Sequence, residues 1–158
     1  MGVYDYAYAI RNVLLADLDQ LQYDDSGANF GVGYSGWDSA LSYSRANGLD
    51  YFGTILPAMG DDQQPMAFQY GMWQWSFYIR IHIKFDVDSS PTTDEKVADL
   101  ADDLFDALIN STNVRAVVPS GAMKVTGFNY MGDPENINDV TYLTLECLVA
   151  IKVQIDRT

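Results

Sequence analysis

The sequence predicts an α+β domain, a mostly antiparallel sheet of four to five strands with two amphipathic helices packed on one face. Three observations carry this. Residues 75–87 alternate, with Phe77, Ile79, Ile81, Ile83, Phe85 and Val87 on one side and Ser76, Tyr78, Arg80, His82, Lys84 and Asp86 on the other. Side chains of a strand point to opposite faces in turn, so this is a long strand with one dry side. Segments 4–21 and 92–110 instead repeat apolar residues at helical spacing, and residues 143–155 alternate again. Two apolar helix stripes need one apolar sheet face to cover, which gives the layered arrangement.

Taken in order, the first helix rests on Tyr6, Ile10, Val13, Leu14, Leu18 and Leu21. Residues 24–36 hold four glycines and read as a loop, because glycine permits backbone angles that other residues resist. The glycines do not form Gly-x-Gly-x-x-Gly after a strand, so a dinucleotide site is not expected. Residues 37–47 read as a short helical or irregular segment. A short strand starts at Tyr51; Pro57 cannot donate to a ladder, so this strand belongs at an edge or begins beyond the proline. Residues 60–65 make a turn. Phe68, Tyr70, Trp73 and Trp75 then crowd the approach to the long strand. They are either core residues or an exposed aromatic patch for a partner.

After the long strand, Thr92-Thr-Asp-Glu95 reads as a capping box, with the Thr92 hydroxyl accepting from the Glu95 N–H. Asp94 and Glu95 also suit the positive end of the helix dipole. The helix runs to about Asn110. Val97, Leu100, Ala101, Leu104, Phe105, Leu108 and Ile109 form its stripe, with Asp99, Asp102, Asp103 and Asp106 opposite. Those four acids read as a solvated face, since they lack the loop and histidine that a metal site would offer. Strands follow at 114–118 and 124–130, with a turn at 119–121 between them. Residues 131–139 form a polar tip. In the last strand Leu143, Leu145, Cys147, Val149, Ile151, Val153 and Ile155 share one face, and Cys147 reads as a small buried residue.

The 158 residues suit one domain, 1–158. No run of 18 apolar residues is present for a membrane span, and the opening Met-Gly-Val-Tyr-Asp does not read as a secretory signal. A single cysteine excludes a disulfide within the chain and a zinc cluster built from thiolates. The net charge of −13 disfavours DNA binding by counterion release. It is either a solvated surface, tuned for high salt, or a surface that nucleic acid slides past.

No chemistry stands out. The only histidine, His82, falls on the polar side of the central strand and reads as an exposed or interface imidazole. Neither a Gly-x-Ser-x-Gly elbow nor a phosphate-binding Gly-x-x-x-x-Gly-Lys-Ser/Thr occurs, and no carboxylate pair is singled out. The expectation is a protein that is not an enzyme and carries no catalytic, cofactor or metal site. Its working residues are expected at an interface: Trp73, Trp75, Tyr78, Arg80, His82 and Lys84 as an aromatic and basic patch, meeting Asp99, Asp102, Asp103 and Asp106 of a neighbour.

The layout resembles the tail-terminator and tail-completion proteins of long-tailed bacteriophages and related archaeal viruses. The matching parts are the opening helix through 14–21, Leu56-Pro57 feeding a strand, the alternating strand 77–87, the helix 94–109 opened by Asp94 and Glu95, and the closing hairpin 124–155 with Tyr142. The resemblance implies a virion structural protein. It would form a ring, expected to be a homo-hexamer, at the head-proximal end of the tail tube. There it would end tail growth and join the tail to the head connector. The implied partners are other copies, the tail tube protein, and a connector or neck protein, with DNA passing through but not bound specifically. The implied location is the virion, and the host cytoplasm during assembly. A head-closure or neck protein, a small-ligand-binding soluble domain and a hydrolase of unknown type remain the alternatives.

Overall fold

The computed structural model describes residues 3–22, 27–57, 64–67, 72–110, 123–130, 135–137 and 139–154. The element order is α1 (Val3–Asp17), a 3-10 turn (Asp19–Leu21), β1 (Phe30–Val32), α2 (Gly33–Ala46), β2 (Tyr51–Pro57), β3 (Gln64–Ala67), β4 (Met72–Lys84), α3 (Thr93–Phe105), a π-helical turn (Asp106–Asn110), β5 (Met123–Tyr130), β6 (Glu135–Ile137) and β7 (Val140–Gln154). The chain folds as the sequence predicts, into an α+β structure with a mostly antiparallel sheet.

The lateral strand order is β1-β2-β4-β7-β5. Among the described residues only the β1–β2 pair is parallel. β3 pairs with β4 beyond the end of β2 and continues its lane, and β6 likewise continues the lane of β5 along β7. β4 and β7 are paired from Met72↔Gln154 to Lys84↔Tyr142 and form the centre. Pro57 ends β2, past the three residues that β1 covers, so its missing N–H breaks no ladder there.

One face of the sheet is dry. Ile55, Phe77, Ile79, Ile81, Ile83, Leu145, Cys147, Val149 and Ile151 are buried there against Ile10 and Leu14 of α1 and Leu100, Leu104 and Leu108 from α3 and its π-helical turn. Each such side chain contributes about 1.5–3 kcal/mol by leaving water. The two helices expected on one face are α1 and α3. Thr92 caps α3 by accepting from the Glu95 N–H at 3.3 Å, as the capping box requires.

Several local expectations need correction. The segment 24–36 is not a loop throughout: it contains β1 and the start of α2. The helix over 4–21 ends at Asp17, and a 3-10 turn carries Leu21 back to the core. The long strand ends at Lys84 rather than Val87. Phe85 and Val87, 39% and 77% exposed, lie beyond the dry face. Phe105 is exposed as well, at the outer margin of the α3 stripe. The polar tip 131–139 contains β6. Segments 58–63, 68–71 and 111–122, with the strand expected at 114–118 and the turns expected at 60–65 and 119–121, fall wholly or largely outside the described residues.

The main departure is α2. It packs on the opposite face of the sheet, where Ala40 and Leu41 form a second, smaller core with Phe52 and Tyr142. The glycines make this crossing possible. A Cβ built on Gly31 would fall within 2.6 Å of the Gly36 backbone, so β1 and the first turn of α2 touch main chain to main chain. Gly33 turns the chain between them at φ +76°, and the buried Thr54 hydroxyl donates to its carbonyl at 3.1 Å. Arg11 of α1 donates to the carbonyls of Gly27 and Phe30, tying down the approach to β1.

Candidate functional site

The register sets three rows across the α2 face: Phe52, His82 and Thr144; Thr54, Arg80 and Glu146; Leu56, Tyr78 and Leu148. The first turns of α2 stand over part of these rows. Between them lies a cleft of about 420 Å³, lined by Tyr34, Trp37, Leu56, Arg80, His82, Glu135, Thr144 and Glu146.

His82 is 4% exposed, which corrects the expectation of an exposed imidazole. Its polar side of β4 is roofed by a third layer that an alternating pattern cannot reveal. The ring stacks on Phe52 at a centroid distance of 4.6 Å and meets Trp37 and Tyr142 edge-on. The Trp37 indole N–H donates to Nε2 at 3.3 Å, and Nδ1 lies 2.9 Å from the Thr144 hydroxyl oxygen. An indole nitrogen only donates, so Nε2 holds the lone pair and Nδ1 the proton, which goes to Thr144. In this tautomer His82 cannot take the Thr144 proton through Nδ1. Burial, and then the Arg80 charge, push the imidazole pKa down from 6.5 to about 4, so the ring is neutral at pH 7.

Arg80 donates through Nε to Glu146 at 2.5 Å across the β4–β7 pair. Its guanidinium carbon also lies 5.5 Å from the centre of the half-buried Tyr78 ring. The expected basic patch is therefore largely spent within the chain: Arg80 is paired, His82 is neutral, and Lys84 remains exposed at the end of β4. Trp75 points to the dry face, where it is half-buried at the margin of the core and packs edge-on against Tyr6 at 5.7 Å. The Trp73 side chain falls outside the described residues.

Asp99, Asp102, Asp103 and Asp106 lie exposed on α3 and its continuation, in the layer that covers the opposite face of the sheet. Asp103 accepts from the Gln20 side chain at 2.6 Å, and Asp103 and Asp106 line a second groove with Asp17 and Asp19. Among the described residues no three potential ligands stand close enough to hold a metal ion. Cys147 is buried on the dry face, and burial pushes its thiol up to about 12, which keeps it protonated and inert.

The sequence reading missed the cleft because its walls come from distant stretches. Tyr34 and Trp37 lie in the glycine-rich region, Glu135 in the polar tip, and Glu146 on the less apolar face of the last strand. The available signal was the spacing of Trp37, Ala40, Leu41 and Ser44, a helical stripe interrupted by small and polar residues. No protein-family model matches the chain, and no curated protein matches it significantly.

Proposed function

We propose that the chain is a virion structural subunit of the tail-terminator kind, which assembles as a ring at the head-proximal end of a tail tube and joins it to the connector. The observation that carries this reading is the order and length of the elements. An opening helix is followed by β2 closing on Leu56-Pro57, a 13-residue β4, α3 opened by Asp94 and Glu95, and a closing β5–β7 hairpin bearing Tyr142. The net charge of −13 suits a ring through which DNA passes by repulsion rather than adhesion.

The contact between ring neighbours is heterologous in this reading, with one surface of a subunit meeting a different surface of the next. The acidic face of α3 supplies one side, and Lys84 with the exposed part of Arg80 supplies basic character on the other. Because Arg80 is already paired with Glu146, such a contact depends less on charge than a row of three free cations would imply. Electron microscopy of purified tails, or of tube-bound complexes, tests the proposal. A ring of this subunit at the head-proximal end is expected; its presence as a single copy, or its absence from that end, overturns the reading.

A further inference from the structure

We propose that the cleft between α2 and the sheet binds an organic cation, an ammonium or guanidinium group on an aliphatic stem such as a lysine or arginine side chain. The charge count points there. Arg80 is the one cation in the lining among the described residues, and its charge is matched by Glu146 at 2.5 Å. Glu135 stands exposed on the rim, with no partner competing for it among the described residues, so the described lining keeps one net negative charge. The neutral His82 adds nothing to balance it.

The remaining lining has the same preference. Tyr34 and Trp37 supply aromatic rings, which attract cations through their quadrupole and cover the carbon stem of a lysine or arginine. Leu56 adds apolar wall for the stem. The Thr144 hydroxyl oxygen accepts from His82 through one lone pair and keeps a second to accept from an ammonium or guanidinium N–H. The cleft volume of about 420 Å³ is in the range of small-ligand sites. An anion would meet two carboxylates and an arginine already bonded, in a protein of charge −13 that repels it at long range.

The site is built before any ligand arrives. Trp37 is held by its bond to His82, His82 by Phe52 and Thr144, and Arg80 by Glu146. Only Tyr34, 82% exposed at the start of α2, has to settle over a bound group. This chemistry is the same whether or not the chain enters a ring, so the cleft is tested on the free protein.

The probes are a capped Gly-Lys-Gly peptide, its arginine, norleucine and glutamate counterparts, and spermidine. The readout is the assigned Trp37 indole N–H signal in NMR titrations of the full chain at low and high salt. Saturable, salt-weakened binding of the lysine and arginine peptides in the millimolar range is expected. Glu135→Gln and Tyr34→Ala, both at exposed positions that leave the fold intact, should each weaken it by roughly fivefold. Spermidine binding no tighter than the lysine peptide identifies a protein side chain as the source; markedly tighter binding identifies a free polyamine. Equal binding of the norleucine peptide, stronger binding of the glutamate peptide, no saturable binding of any cation, or unchanged affinity in both variants would overturn the proposal.

Discussion

His82 is the only histidine in the chain, so it can be followed by pH without interference from another imidazole. Its folded pKa lies at about 4 against 6.5 for a free imidazole. The unfolded chain therefore binds a proton at a pH where the folded chain does not. Stability from this group is complete above about pH 6.5 and is lost as pH falls towards 4. The groups facing the ring are Trp37, Thr144, Phe52, Tyr142 and Arg80, and none offers a carboxylate that would welcome a second proton. Urea unfolding should show a loss of about 2 kcal/mol between pH 7 and pH 5 attributable to this residue. A His82→Gln variant should lack that portion of the slope, and an identical slope in the variant would show that the ring protonates freely in the fold. His82→Ala should cost roughly 2–4 kcal/mol at pH 7, because it opens a cavity and leaves Trp37 and Thr144 without their partner. The strand pattern identifies the side of β4 on which His82 lies. It does not give its exposure, because alternation records which face a residue is on and not what covers that face.

At the level of elements, β4 and α2 differ in how they are encoded. The dry face of β4 is written in the alternating Phe77, Ile79, Ile81 and Ile83, and a capped helix stands ready to cover it. Ile81→Asp places a carboxylate at a fully buried position on the dry face, a cost above what a domain of this size can absorb. Circular dichroism should find no cooperative melt in that variant; a normal one would mean that the faces are reversed. By contrast α2 is specified as much by what is absent as by what is present. The Gly31–Gly36 contact has no room for a methyl group, and a sequence reading sees glycines as loop-formers before it sees them as a crossing point. Gly31→Ala should lower stability by about 2–3 kcal/mol, as overpacking of main chain against main chain does. In a denaturant melt it should also remove the Phe52 and Trp37 packing before the main core; a wild-type midpoint would show that the crossing is loose.

For the whole molecule, the layering was legible where an apolar stripe met an apolar face. The dry side, its two helices and the central β4 follow from residues such as Ile79, Leu104 and Cys147, which sit where their spacing puts them. The second layer was hidden because its residues are few, small or polar: Ala40, Leu41 and Ser44 are the buried side of a helix that opens with Gly33-Tyr-Ser-Gly36. The interface residues were legible as a list but not as a surface. Arg80 and Glu146 lie 66 positions apart in sequence and become neighbours only through the β4–β7 register. Cross-strand pairing of this kind is decided by the alignment of whole strands, and a one-residue slip would have separated them.

The two cores are very unequal, and this has a consequence for how the molecule breathes. The dry side joins α1, α3, β2, β4 and β7, whereas α2 is held by Ala40, Leu41, Phe52 and Tyr142, with Trp37, Ile137 and Val140 at the margin. A unit secured by so little apolar surface opens on its own more often than the whole chain unfolds. Amide hydrogen exchange should therefore be at least about tenfold faster in α2 than in the centre of β4 and β7, a gap of about 1.4 kcal/mol. Uniform exchange would mean that α2 and the main sheet open as one. Because α2 carries Tyr34 and Trp37, each such opening is also an opening of the cleft, so an occupant that bridges Tyr34 and Glu135 would slow exchange along the helix without touching most of its residues.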